Sequence, residues 1–150
     1  METISNILQR AKKRAEEAGL PYAGALTPLE AYELLQKTEH AKLVDVRSSA
    51  ELELVGKILD AIHIEWAFYP GMVPNPDFSA QLDMQVDKEA LVIFMCRTGG
   101  RSHHAAVTAA QLGFTEVYNM LEGFEGEANK LKQRTLINGW KHANLPWTNA

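Results

Sequence analysis

The period of the apolar positions changes along the chain. Ile4, Ile7, Leu8, Ala11, Ala15 and Ala18 recur at helical spacing. They predict a helix over residues 3–18, with Gly19 placed to end it and Pro21 barring its continuation. Residues 23–26 suit a short strand. Thr27, Pro28 and Glu30 supply an N-cap, a first-turn proline and an acidic first turn for a helix to about residue 37. A strand over 42–46 follows, then a helix over 49–55 ended by Gly56, then a strand over 61–64. Residues 66–76 are irregular and aromatic-rich. Trp66 and Phe68 read there as core cover, or as walls of a pocket. Asp77 is placed to cap a helix to about 84. The wholly apolar run Leu91–Met95 reads as a strand buried on both faces. An alanine-rich helix over 102–112, a strand over 116–119 and a last helix over 124–134 complete the pattern, with Trp140 and Trp147 expected to fold back onto the core. Strands alternating with helices predict an α/β fold: a mostly parallel central sheet with helices on both faces.

Composition narrows the picture. A length of 150 residues with 46% hydrophobic content suits a single core. The net charge of −4, without a long basic block, argues against nucleic acid and anionic membrane as partners. Arg10, Lys12, Lys13 and Arg14 are balanced by Glu16 and Glu17 and read as a solvated helix face. No apolar run approaches the roughly 20 residues of a membrane span. The first residues lack the basic-then-apolar layout of a signal peptide. One cysteine cannot form an internal disulfide, so a cytoplasmic, reducing location is the expectation.

That cysteine is also the strongest chemical signal. Cys96 ends the buried strand and is followed by Arg97-Thr98-Gly99-Gly100-Arg101-Ser102, where a helix begins. Strand, glycine-rich loop and helix N-terminus together surround an anion with backbone N–H groups. A thiol so placed, with Arg97 and Arg101 beside it, is expected to be a reactive thiolate; a buried structural cysteine is the plainer alternative. Asp45 interrupts an apolar strand, and a carboxylate there needs partners. Asp45 is expected to accept backbone N–H bonds from the following loop, and Arg47 to pair with Glu51. His103 and His104 point in different directions on a helix and do not read as a metal site. They read as surface residues, or as groups supporting Cys96.

The segment Cys96 to Ser102 resembles the active-site loop of rhodanese-family sulfurtransferases. Asp45-Val46-Arg47, Glu51, Gly56-Lys57-Ile58 and Asp60-Ala61 resemble a second family signature, with Lys57 where the family usually has His and Asp60 where it usually has Gly. Leu121-Glu122-Gly123-Phe124, Asn138-Gly139-Trp140 and Leu145-Pro146-Trp147 resemble a third. The resemblance implies a rhodanese-like fold over residues 23–150, with residues 1–22 as an N-terminal helical extension packed on it. It also implies sulfur transfer with no cofactor. Cys96 would be the catalytic nucleophile and carry a covalent persulfide, cradled by Arg97, Thr98, Gly99, Gly100, Arg101 and Ser102. Asp45, Arg47 and Glu51 would support the loops. The donor would be thiosulfate or a persulfide. The acceptor would be cyanide or an external thiol, on a small molecule or a protein, because the chain has no second cysteine to resolve the persulfide. Four residues separate Cys96 from Arg101, whereas phosphatase loops have five, and the shorter ring suits one added sulfur better than a phosphoryl group. A persulfide carrier or binding module serving a partner enzyme is the alternative. A phosphatase or arsenate reductase on the same fold is a weaker one.

Overall fold

The computed structural model describes residues 3–149. Helix α1 (Ile4–Ala18) is capped by the Thr3 hydroxyl and closed by Gly19 in the left-handed conformation. Strand β1 (Gly24–Leu26) leads into α2 (Pro28–Lys37), whose start is a reciprocal capping box between Thr27 and Glu30. Then come β2 (Ala41–Asp45), α3 (Ser49–Val55) and β3 (Ile62–His63). The aromatic segment holds a small antiparallel pair, β4 (Ala67–Phe68) and β5 (Val73–Pro74). The order ends with α4 (Phe78–Gln85), β6 (Leu91–Met95), α5 (Gly100–Gln111) and β7 (Glu116–Met120).

Five strands form one wholly parallel sheet in the order β1-β7-β6-β2-β3. Strand β6 is central, and the period-two alternation of its side chains divides the core. Val92, Phe94 and Cys96 face Phe78 and Leu82 of α4 and Ala105, Ala106 and Ala109 of α5. Leu91, Ile93 and Met95 face the other layer, with Ile7 and Ala11 of α1, Leu34 of α2, Phe124 and Trp140. A strand covered on both sides has no polar face, which explains its unbroken apolar run.

Three expectations need correction. Residues 124–134 are not helical. Glu122, Gly123 and Gly126 all have positive φ there, and a Cβ on Gly126 would collide with the Asn138 carbonyl. The backbone is committed to tight turns before the helical pattern can act. Asp77 does not cap α4 with its side chain; the Asn75 side chain accepts the Asp77 N–H instead. The basic face of α1 is not simply solvated. Arg14 makes two bonds to Glu30, Arg10 Nε reaches the same carboxylate at 2.6 Å, and Arg14 also donates to the Ala25 carbonyl. These contacts, with buried Ile7, Ala11 and Ala15, fasten α1 to β1 and α2. Trp140 is buried as expected, and Trp147, though 42% exposed, folds back with its ring edge-on against buried Phe124.

Candidate active site

Parallel sheets of this kind bind ligands beyond the carboxyl ends of their strands. Here β6 ends at Met95, and Cys96 follows it directly, between the end of β2 at Asp45 and the end of β7 at Met120. The chain leaves Cys96 through a loop whose last member, Gly99, has φ +108° and is the N-cap of α5. That turn brings the Gly99 N–H to 3.1 Å from Cys96 Sγ. The N–H groups of Gly100, Arg101 and Ser102 lie in the first turn of α5, where no helical carbonyl can reach them. They are the donors available to an anion above the loop. Neither glycine of the loop is needed to avoid a Cβ clash. A Cβ on Gly99 would meet nothing closer than 3.7 Å, and one on Gly100 nothing within 4 Å. Gly99 is required for its backbone angle, and Gly100 is not required on either ground.

Cys96 is 1% exposed. Its sulfur also lies 3.5 Å from Ser102 Oγ, which donates at 2.6 Å to Asn119 Oδ1. A hydroxyl has one proton, so in this arrangement Ser102 presents lone pairs to the sulfur. Asn119 also donates to the Gly99 carbonyl at 3.2 Å and bonds Tyr22, whose hydroxyl lies 2.7 Å from His103 Nδ1. His103 is therefore tied to the rear of the site through Tyr22 and Asn119, while His104 is exposed. Asn119 was not singled out by sequence reasoning. The available signal was a polar side chain near the carboxyl end of a buried strand, one strand over from the cysteine.

The turn after β7 supports the loop from below. Phe124 N–H donates to the Cys96 carbonyl at 2.9 Å, and Glu125 and Gly126 N–H donate to the Arg97 carbonyl. A Cβ on Gly123 would collide with that carbonyl.

The two arginines differ. Arg101 forms a bidentate pair with Glu51 at 2.8 and 3.0 Å. Burial alone would raise the Glu51 pKa. Arg101, the Ser48 N–H and the charge of Arg47 outweigh it and hold the carboxyl below its usual value. Burial alone would likewise lower the Arg101 pKa, and Glu51, Cys96 and Asp45 outweigh it and raise it. Among the described residues, the Arg97 side chain makes no hydrogen bond or ion pair, and it is exposed.

The expected pairing of Arg47 with Glu51 is therefore corrected. Arg47 is fully buried and donates through Nε and Nη2 to Asp45 and through Nη2 to the Gly56 carbonyl. Its guanidinium carbon lies 4.2 Å from the centre of the Phe124 ring. Asp45 also accepts the Arg47 N–H, as expected of a strand-end carboxylate. The geometry is local: residues 45 and 47 sit on one turn, whereas Glu51 belongs to a helix facing the cysteine loop.

A cleft of about 490 Å³ lies over the loop, between α3 and the β4–β5 hairpin. Arg97, Arg101 and Glu51 line it together with Leu54, Tyr69 and Met72. Neither aromatic named from the sequence lines it: Trp66 packs edge-on against Phe78, and Phe68, in β4 of the hairpin, lies outside the lining. Thr98 is exposed and also lies outside the cleft lining.

The rhodanese-like domain family model matches residues 27–130. The chain is 38% identical over 125 residues to the uncharacterized protein RC0915 of Rickettsia conorii, covering 79% of this chain and 91% of that one. It is 33% identical over 121 residues to the thiosulfate sulfurtransferase GlpE of Actinobacillus pleuropneumoniae, covering 81% and 89%. Among solved structures, Rv0390 from M. tuberculosis aligns with a TM-score of 0.79 at 38% identity, over 86% of this chain and 99% of that one.

Proposed function

The chain belongs to the rhodanese-like domain family, and from that premise we propose that it is a sulfurtransferase working through a persulfide on Cys96. The observation that carries this reading is the Gly99 N–H aimed at Cys96 Sγ from 3.1 Å, at the head of α5. A donor set of amides around one sulfur stabilises negative charge on that sulfur without needing a proton or a metal. The Cys96 thiolate attacks the sulfane sulfur of thiosulfate or of a persulfide donor. The S–S bond of the donor breaks, sulfite or a thiolate leaves with the electron pair, and Cys96 holds the sulfur as Cys–S–S⁻. Cyanide or an external thiol then takes the outer sulfur and restores the thiolate.

In this reading the amides of residues 99–102 hold the terminal sulfur, and Arg97 draws in the anionic donor. Thr98 spans the loop between them. Arg101 acts through Glu51, fixing α3 against the loop. Asp45 and Arg47 brace the turn below. Of the 1–22 extension, the described residues 3–22 carry a helix that completes one face of the core. Intact mass after incubation with thiosulfate tests the reading. One added sulfur, about 32 Da, is expected on the protein and none on Cys96→Ser. Thiosulfate leaving the mass unchanged under reducing-agent-free conditions, with no thiocyanate formed from cyanide, would overturn it.

A further inference from the structure

On the side of Cys96 away from the cleft, a line of side chains runs from the sulfur toward the surface. Ser102 Oγ, 3.5 Å from Cys96 Sγ, donates to Asn119 Oδ1 at 2.6 Å. Asn119 bonds the Tyr22 hydroxyl, which lies 2.7 Å from His103 Nδ1. Ser102, Asn119 and Tyr22 are buried, while His103, in the first turn of α5, is half-buried. The transfer of sulfur itself uses neither Tyr22 nor His103.

Counting protons gives this line a direction. Asn119 Oδ1 is committed to the Ser102 proton. Its Nδ2 donates to the Gly99 carbonyl at 3.2 Å and, with its second hydrogen, to Tyr22 Oη. The Tyr22 proton is then free for His103 Nδ1, which accepts it only when the imidazole is neutral and carries its proton on Nε2. In this sense Ser102 turns lone pairs toward the sulfur, which suits a neutral thiol and opposes an anionic sulfur. A protonated His103 can only donate, so the line must run the other way. Nδ1–H donates to Tyr22, Tyr22 donates to the Asn119 carbonyl with the amide turned over, and Nδ2 donates to Ser102 Oγ. The Ser102 proton then points at Cys96 Sγ. The Gly99 carbonyl loses Asn119 but keeps the backbone N–H of His103 at 3.1 Å, so the turned amide strands no carbonyl.

We infer that His103 is a positioning residue: acting through Tyr22 and Asn119, it sets which way the Ser102 hydroxyl faces Cys96, and its ring takes up a proton as the sulfur becomes anionic. No proton travels along the line. The thiol releases one to solvent, His103 takes one from solvent, and the total charge is unchanged. By linkage each charge favours the other. Tyr22, from the segment before β1, and His104, on α5 itself, are the titratable groups whose rings meet His103, and Cys96 lies beyond Asn119. For the persulfide, the inference rests on the sulfurtransferase reading above.

NMR of 15N-labelled histidine reads the ring directly at about pH 6.5, where an ordinary imidazole is half protonated. His103→Gln assigns its signals among the five histidines. Protein loaded with sulfur from thiosulfate, the adduct verified by intact mass, is compared with Cys96→Ser, whose side chain is neutral. The ratio of protonated to neutral His103 should be about fivefold or more higher in the loaded protein. Direct attraction between the two charges would also raise that ratio, so the line is cut at each end. Tyr22→Phe and Ser102→Ala, each loaded and compared with its own Cys96→Ser double variant, should lose most of the rise. Ser102→Ala removes only a hydroxyl and decides the matter if Tyr22→Phe does not fold. An equal ratio in loaded and Cys96→Ser protein, or a rise that survives the cuts, overturns the inference while the adduct keeps the sulfurtransferase reading. If thiosulfate adds no sulfur, that reading falls, and the inference with it.

Discussion

Glu51 and Arg101, fifty residues apart in the chain, are joined by two hydrogen bonds of 3.0 and 2.8 Å across the candidate active-site cleft. The pair ties α3 to the first turn of α5 and leaves the cleft with Arg97 as its uncompensated positive charge.

The two arginines should therefore separate by kinetics. Arg97→Gln removes an exposed side chain without partners among the described residues, so the thermal midpoint should hold. KM for thiosulfate should rise about tenfold, corresponding to about 1.4 kcal/mol of lost attraction. Arg101→Gln leaves the half-buried Glu51 carboxylate without its partner and should lower both the thermal midpoint and kcat. Thermal unfolding beside donor-saturation kinetics on both variants decides the matter. Equal effects would mean that Glu51 does not neutralise Arg101.

Asp45 carries a heavier structural load than a strand-end carboxylate usually does. Its oxygens accept from both Nε and Nη2 of Arg47, which is fully buried. Asp45→Ala leaves that guanidinium charged and uncompensated, at a cost of about 3–5 kcal/mol. Denaturant unfolding should show the loss. Replacing both residues together, Asp45→Asn with Arg47→Met, should cost less than Asp45→Ala alone, because no buried charge is stranded.

Much of this was legible in the sequence, for a physical reason. Elements fixed by local chemistry were predicted closely: the Thr27 N-cap with Glu30 in the first turn of α2, the Gly19 stop and the apolar β6 run leading to Cys96. Relationships set by tertiary approach were not. Arg47 and Glu51 are four residues apart and of opposite charge, so pairing them was natural. The fold turns Arg47 inward to Asp45 and Glu51 outward to Arg101. The helical pattern over 124–134 lost to the positive-φ backbone at Gly123 and Gly126, where carbonyls of Arg97 and Asn138 approach too closely for a side chain. Asn119 became visible only once β7 lay beside β6.

Low pH should weaken the attachment of α1. Burial alone would raise the Glu30 pKa. The hydrogen bonds from Arg14, the Thr27 N–H and Arg10 outweigh it and pull the carboxyl from its ordinary 4.5 down to about 2. Because the folded value is depressed, the stabilisation is fully present above pH ~4.5 and is lost as pH falls toward 2. It is on the order of 2–3 kcal/mol. Glu51, also depressed, acts with the same sign. Unfolding free energy should therefore decline with acidification through this window, and Glu30→Gln should flatten the decline while lowering stability at neutral pH. A wild-type curve flat from pH 5 to 3 would refute the assignment.

Asn119 and Ser102 should behave as one unit. Asn119→Ala removes the acceptor of the Ser102 proton and the donor to the Gly99 carbonyl. Stranding those groups in a buried site costs about 1–3 kcal/mol, and sulfur loading should slow as the loop loses its anchor. Ser102→Ala should cost less than the sum when combined with Asn119→Ala, with a coupling of about 0.5–3 kcal/mol. Additive losses in a double-mutant cycle would show that the 2.6 Å contact does not connect them energetically.

The adjacent glycines of the loop offer the sharpest test, because alanine should have opposite effects at the two positions. Gly99 has φ +108°, a region costly for any residue with a Cβ, although space for the methyl exists. Gly99→Ala must either accept about 1–3 kcal/mol of backbone strain or relax the loop. Relaxation withdraws the N–H that reaches Cys96 Sγ at 3.1 Å. Either way, stability or persulfide formation falls, and the persulfide once formed should lose its sulfur faster. Gly100 begins α5 with ordinary backbone angles and open space around the missing Cβ. Gly100→Ala should therefore be neutral, or stabilise by about 0.4–1 kcal/mol through a less flexible unfolded chain. Thermal midpoints and the half-life of the sulfur adduct by mass spectrometry, taken on both variants, check the contrast. A tolerated Gly99→Ala with full sulfur loading would remove the Gly99 amide from the proposed cradle.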